Sequence, residues 1–266
     1  MKYDMVCQVG YRLIQIMRYF RGINYLGLGC TIHPQYSKSR SLDDKMTDKI
    51  ITHAIDLIFL RWCEHDRQTL FYTLITMLQG KSATPQTLSK CYDIPINQIL
   101  QAHETDRYDV DESNKVIDVF GFGINADRPL TFTNNTGTFK LCCALIALTI
   151  SRLSDQSSHI HSVDPVSSRA IEIQSSSKQI SVVPNEATAV IVTPSQDKFL
   201  ADPWHLFCKF VQFFESDHTA SQAMDRNDTT SIVSVARLWE AAGELCVRMW
   251  AASDLELRQR VSSTSM

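Results

Sequence analysis

Apolar residues recur at helical spacing through the first half of the chain and in short strand-like runs through much of the second. Ile50, Ile51, Ala54, Leu57 and Ile58 form one stripe, and Leu70, Phe71, Leu74 and Leu78 another. Gly80 stands where a helix stop belongs. Thr84-Pro85 then supplies a capping hydroxyl followed by proline at the first helical position, opening a short helix through Leu88. Asp93-Ile-Pro95 repeats that signal and opens a helix containing Ile96, Ile99 and Leu100. Two short helices across a tight turn, followed by Val116–Phe120 and Leu130–Phe132, read as a winged helix-turn-helix. Upstream, Met5, Val6, Val9, Leu13, Ile16, Met17 and Phe20 predict a short amphipathic helix, and the polar run from Gln35 to Asp44 a linker.

Beyond Leu141 the pattern changes. Cys142 to Ile150 is apolar without alternation, as in a buried helix or a strand-to-helix junction. Eleven serines lie between Ser151 and Ser181, yet strand-like pieces lie within and after them, so the region is not read as disordered. Those pieces are Ile171–Ile173, Ile180–Val183 and Ala189–Val192, punctuated by Pro184 and Pro194. His205 to Phe214 reads as a further strand. It places Phe207, Lys209, Val211 and Phe213 on one face and Cys208, Phe210, Gln212 and Phe214 on the other. Ser234 to Ala252 closes the pattern as a helix with Val235, Leu238, Ala242, Leu245 and Met249 on one stripe. Helices, then strands, then a helix predict an α+β fold.

Composition narrows the function classes. The chain has 266 residues, 44% of them hydrophobic, enough for a substantial core. Its 26 Lys+Arg against 29 Asp+Glu leave a formal charge of −3, without the basic excess of a nucleic-acid binder. The helix-turn-helix itself carries Lys90 and Arg107 against Asp93, Glu104 and Asp106. Asn97, Gln98 and Gln101 could touch bases, but nothing beside them would hold phosphates, so the motif reads as scaffold and no nucleic-acid partner is expected. No apolar run reaches the ~18 residues of a membrane helix, so no membrane span is expected. Eight cysteines without a C-x-x-C pattern read as free thiols in a reducing, cytoplasmic setting. His159-Ile-His161 and His205 lack a zinc-site spacing.

The motifs, taken in order, resemble the organomercurial (alkylmercury) lyase family. The resemblance runs from about Leu70 to Met249. It includes the helix-turn-helix, Tyr108–Asp111, Val119-Phe-Gly-Phe-Gly123, Cys142-Cys-Ala-Leu-Ile146, Ile180–Pro194, Phe207–Ser216 and Ser231–Gly243. It implies a helical, winged helix-turn-helix-like domain over 47–134 and an alkylmercury-lyase-like mixed sheet with flanking helices over 135–252. Residues 1–46 would be an extension and linker, and 253–266 a polar tail. Cys143 and Cys208 fall on the family's thiol positions, where they would be both catalytic residues and ligands for mercury. No cofactor is required on this reading; Hg(II) or another soft metal is the ion such thiolates would take. Cys142, about 100° from Cys143 around a helix, is expected to face elsewhere. Cys7, Cys30, Cys63, Cys91 and Cys246 read as packing or surface residues.

The departures carry as much information. The family's proton-relaying carboxylate, three residues after the first cysteine, is Ile146 here, and isoleucine carries no proton. The family's additional cysteine falls at or near Val163, and Lys209 follows the second thiol. Asp155, Asp202 and Glu215 are carboxylates in neighbouring segments. Trp204, Phe207 and Phe210, with Ile146, are expected to line an apolar pocket beside Cys208. The leading expectation is a lyase-like enzyme repurposed for a small apolar organic substrate in a specialised metabolic pathway. The alternatives are a working organomercurial lyase and a non-catalytic binder of soft metals or small ligands. The sequence sets no oligomeric state.

Overall fold

Local capping chemistry fixes the helical part of the fold in a computed structural model, which describes residues 42–63, 66–104, 108–124, 127–154, 156–176, 179–224 and 229–263. Helix α1 (Leu42–Cys63) buries Ile50, Ile51, Ala54, Ile55, Leu57, Ile58 and Trp62. It starts inside the stretch expected to be a linker, and the helix expected over Met5–Phe20 lies outside the described residues. Helix α2 (Arg67–Leu78) is capped by Asp66, whose carboxylate accepts the Thr69 N–H at 3.0 Å. It is buried on almost every side, so its polar Gln68, Thr69, Thr73 and Thr76 are buried as well. Thr84 caps α3 (Pro85–Tyr92) by accepting the Thr87 N–H at 3.2 Å. Asp93, at φ 55°, closes α3 instead of opening the next helix, and α4 (Ile96–His103) begins after Pro95 without a side-chain cap.

Strands β1 (Tyr108–Val110), β2 (Val116–Val119) and β3 (Phe122–Gly123) follow α4, where a wing was expected. They are not a free wing. β3 pairs with β5 (Gly137–Leu141), which pairs with β4 (Leu130–Asn134), and the sheet continues through β6 (Ser158–Val163), β7 (Ala170–Ser175) and β8 (Ile180–Val183). The sheet thus crosses the boundary expected near residue 134. The expectation of a mixed sheet is corrected: every pair among the described strands is antiparallel. Short connections enforce this. In the β4–β5 turn, Asn134 Oδ1 accepts the N–H groups of Thr136 and Gly137 at 2.9 and 3.1 Å, and a tight hairpin can join only antiparallel strands.

Helix α5 (Ala144–Leu153) follows β5, and β9 (Thr188–Val192) centres a second, three-stranded sheet between β10 (Phe213–Phe214) and β11 (Thr230–Ser234). Helix α6 (Gln196–Ala201) precedes a π-helical turn at Trp204–Cys208, and α7 (Asp217–Ala223) follows β10. The strand expected over His205–Phe214 is therefore reduced to its last two residues. Phe207 and Val211 are four apart and both fully buried, a helical spacing that the strand-like alternation concealed. Helix α8 (Val235–Ser263) packs on α1, α2 and α5 and continues through most of the expected tail. No helix among the described residues is long and apolar enough to cross a membrane.

The two sheets are tied together by one buried carboxylate. In the β6–β7 connection, Asp164 Oδ1 accepts the N–H groups of Val166 and Ser167 at 2.7 and 3.1 Å. Its Oδ2 accepts the Glu215 N–H and the Thr219 hydroxyl, each at 2.7 Å. Burial pushes this carboxyl up, but the four donors outweigh burial and hold it below the ordinary value of 3.8. Its stabilisation is therefore present above that value and lost as pH falls through the lower folded value. Asp164→Ala should cost about 3 kcal/mol in denaturant unfolding at neutral pH, since it orphans buried donors. The gap from wild type should narrow on acidification, and a variant as stable as wild type at neutral pH would contradict this.

Candidate functional site: three thiols at a strand-to-helix junction

Between β5 and α5 the chain leaves a sheet and enters a helix in two residues. Cys143 is the N-cap of α5 in extended backbone (φ −156°, ψ 164°), and Cys142 precedes it, so neither lies inside the helix. The helical angle that would turn Cys142 away does not apply. Its sulfur joins those of Cys143 and Cys208, all three within 4.8 Å of one another and all buried. Cys142 is thus a member of the cluster, contrary to expectation.

Two straps bring Cys208 to this junction. The Ala144 N–H donates to the Val211 carbonyl at 2.8 Å. The Gln212 side chain donates to the carbonyls of Cys208 and Cys142, at 2.9 and 3.4 Å. From the other side, the Cys142 N–H donates to the Gly121 carbonyl at 3.0 Å. A Cβ at Gly121 would sit 2.5 Å from the Cys142 sulfur, and its φ of +82° already disfavours any other residue. The first glycine of the Gly-Phe-Gly motif is therefore a steric requirement of the cluster.

The three sulfurs are electrostatically unequal. Burial pushes the Cys143 thiol up, but the Cys142 and Cys208 thiols and the N–H groups of Ile146 and Leu145 overturn this and hold it well below its usual value. The larger sulfur makes no close capping bond of the serine kind, yet it lies in the field of the helix start. Cys142 is pushed up, chiefly by donating to Cys143. Cys208 is pushed up by its hydrogen bonds to Cys142 and Cys143 and by burial. Of the three, Cys143 is the sulfur whose surroundings favour the anion, and Cys142 and Cys208 are the donors.

A cavity of about 360 Å³ opens over Cys142 and Cys208 and is also lined by Ile146 and Trp204. Phe120, Phe199 and Ile58 complete an apolar wall. Phe207 and Phe210 are not among the lining residues. Phe207 is fully buried, edge-on to Phe199 at 5.5 Å, while Phe210 faces solvent beside a separate groove. Val163 is exposed at the end of β6, and Lys209 ends the π-helical turn.

The nearby carboxylates sort clearly. Asp202 reaches the cavity rim, but its oxygens are taken by the His205 ring at 2.8 Å and the His205 N–H at 3.1 Å. Glu215 pairs with Arg169 at 3.4 Å, and Asp155 lies outside the described residues. Sequence reasoning missed Asp118. It is buried, lines the cavity, and has Arg128 Nη2 2.8 Å from Oδ2. Burial pushes its carboxyl up to about 6, outweighing the arginine. The available signal was its place on β2, two residues from the inward-facing Val116 and followed by the Gly-Phe-Gly turn.

The other cysteines and histidines stand apart. Cys63 is half-buried, Cys91 exposed and Cys246 buried, while Cys7 and Cys30 lie outside the described residues. His159 and His161 flank Glu172 at 2.7 and 2.8 Å. Among the described residues, the three cysteines are the group able to hold a metal ion.

The class of protein defined so far is an α+β scaffold that gathers three buried thiols beside a cavity. Comparison with known families adds that residues 125–246, a little under half of the chain, match the family model for alkylmercury lyase. The crystal structure of the mercury-bound form of MerB2 is similar in fold, with a TM-score of 0.59 and 15% identity over 74% of this chain and 99% of that chain. No curated protein sequence matches the chain.

At neutral pH the cluster should show ultraviolet thiolate absorbance equivalent to about one sulfur, because a lowered pKa keeps the anion present. Cys143→Ser should remove it. Cys246→Ser should not, since burial pushes that thiol up to about 12. Gly121→Ala should destabilise the fold by at least ~1–2 kcal/mol from backbone strain alone, and should also abolish the absorbance by displacing Cys142. Retention of the full signal in Gly121→Ala would contradict this packing.

Proposed function

We propose that the cavity binds an organomercurial and that the thiols cleave its carbon–mercury bond by protonolysis. The observation that carries this reading is the convergence of the three buried sulfurs. A soft metal prefers thiolates, and a preformed thiolate with adjacent thiols can take it without rearranging the backbone. Cys143 displaces the outgoing anion from mercury, and Cys208 adds as a second sulfur, which weakens the carbon–mercury bond. Binding of Cys208 releases its thiol proton, and the departing carbon needs one proton to leave as hydrocarbon. Phe120, Phe199 and Trp204 form a wall suited to the organic group. The mercury-bound state of the structural neighbour accords with this reading without supplying it.

Repurposing for another apolar organic substrate is favoured by one specific observation, the isoleucine at the family's carboxylate position. An organomercurial assay separates the two. Wild-type protein should release hydrocarbon from an aryl- or alkylmercurial and retain one mercury per chain, with the ratio set by a two-sulfur site. Cys143→Ala and Cys208→Ala should each reduce turnover by ~100-fold or more while leaving the protein folded. Stoichiometric mercury capture without hydrocarbon would make the protein a binder. Neither capture nor release would favour the repurposed enzyme.

A further inference from the structure

We infer that Asp118 carries the proton in place of the carboxylate lost at Ile146, and that Arg128 positions it. This inference rests on the organomercurial reading. Asp118 comes from β2, in a segment separate from both cysteine segments, yet it lines the same cavity as Cys142, Cys208 and Ile146. The fold thus supplies a carboxyl group to the cavity from a different wall.

The surroundings are built for a carboxyl group. Gly123 leaves the space that it fills: a Cβ there would stand 2.1 Å from Asp118 Oδ2. Arg128 Nη2 lies 2.8 Å from that oxygen, an ion pair whose alignment falls short of a full hydrogen bond. Arg128 Nη1 is also buried and has no hydrogen-bond partner among the described residues. It lies 3.2 Å from the place where a Gly121 Cβ would be, and the Cys142 sulfur lies 2.5 Å from that same point. Arg128 therefore spans the gap between carboxylate and thiol cluster, and its guanidinium lies 5.8 Å from the Trp204 ring. Asp109 and Cys142 also face the carboxyl electrostatically, both raising its pKa, while Arg128 lowers it. Of the other two carboxylates at the cavity, Asp202 is engaged by His205, and Asp109, on β1, is exposed to solvent where Asp118 is buried.

The step balances. As the Cys208 sulfur joins mercury, its proton passes to the Asp118 carboxylate. Asp118 then gives that proton to the carbon. The electron pair of the carbon–mercury bond becomes the new carbon–hydrogen bond, and mercury remains on two sulfurs as Hg(II). Asp118 returns to the carboxylate that Arg128 holds, and no other reactant is consumed.

The test compares wild type, Asp118→Asn, Asp118→Glu and the double variant Asp118→Asn/Ile146→Asp in single-turnover assays with an arylmercurial. Hydrocarbon release and mercury bound per chain are both measured. Asp118→Asn should lose about 100-fold or more in rate, in the range of a removed general acid, while capturing the same mercury. Asp118→Glu should retain more activity than Asp118→Asn. The double variant should regain a substantial part of the loss, which a purely structural role for Asp118 would not produce. Thermal melting identifies a variant that fails to fold, and Asp118→Glu, which keeps the pairing charge, then serves as the probe. Wild-type turnover with an equally active Asp118→Asn overturns this inference alone. A folded wild type that captures mercury and releases no hydrocarbon overturns the functional reading and this inference together.

Discussion

The structure depends on the pinning of one short junction, Leu141 to Ala144, where a sheet hands over to a helix. Its backbone is held by Gly121 on one side and Val211 on the other, and Gln212 bridges the carbonyls of Cys142 and Cys208. Those bonds are local in space but join three segments that are far apart in sequence. They fix the sulfurs within 4.8 Å of one another, closer than a flexible chain would hold three groups that compete for one charge. The glycine at 121 and the extended conformation at Cys143 are direct consequences of this pinning.

Burial gives these polar groups their chemistry. In water, three thiols would titrate independently at ordinary values. In the core the three interact, and their shifts diverge: Cys143 is lowered while Cys142 and Cys208 are raised. The same low polarity pushes Asp118 up despite its arginine partner. A buried, imperfectly aligned ion pair is a weak stabilising element. Asp164 shows the contrast: four well-placed donors make that carboxylate a structural tie with its pKa lowered.

Ile146 acquires a different meaning in three dimensions. Along the chain it marks a missing acid, and an enzyme diverted to other chemistry is the natural expectation. Folded, it is one wall of a cavity whose other walls include Asp118 and Arg128. A relay can be lost from one element and supplied by another, because protonation depends on proximity to the reacting carbon and not on position in the chain.

Much of the local architecture was legible in the sequence because it depends on neighbours. Thr84 and Pro85 announce α3, Gly80 ends the preceding helix, and the stripes on α1, α2 and α8 follow from a period of about 3.6 residues. The α+β order was legible too, and the ordered motifs singled out Cys143 and Cys208, whose sulfurs the fold brings within 4.8 Å of each other. Where two periods competed, the sequence misled: Phe207, Val211 and Phe213 satisfy a strand pattern as well as a turn. Cys142 was misread because a one-residue shift in the helix start changes where a side chain points. Asp118 could not be assigned, because its significance lies in the cavity where β2 meets the cysteine segments. The sequence by itself determined which segments fold and which thiols to watch; only the tertiary structure decided which groups share a cavity, because that depends on contacts between distant segments.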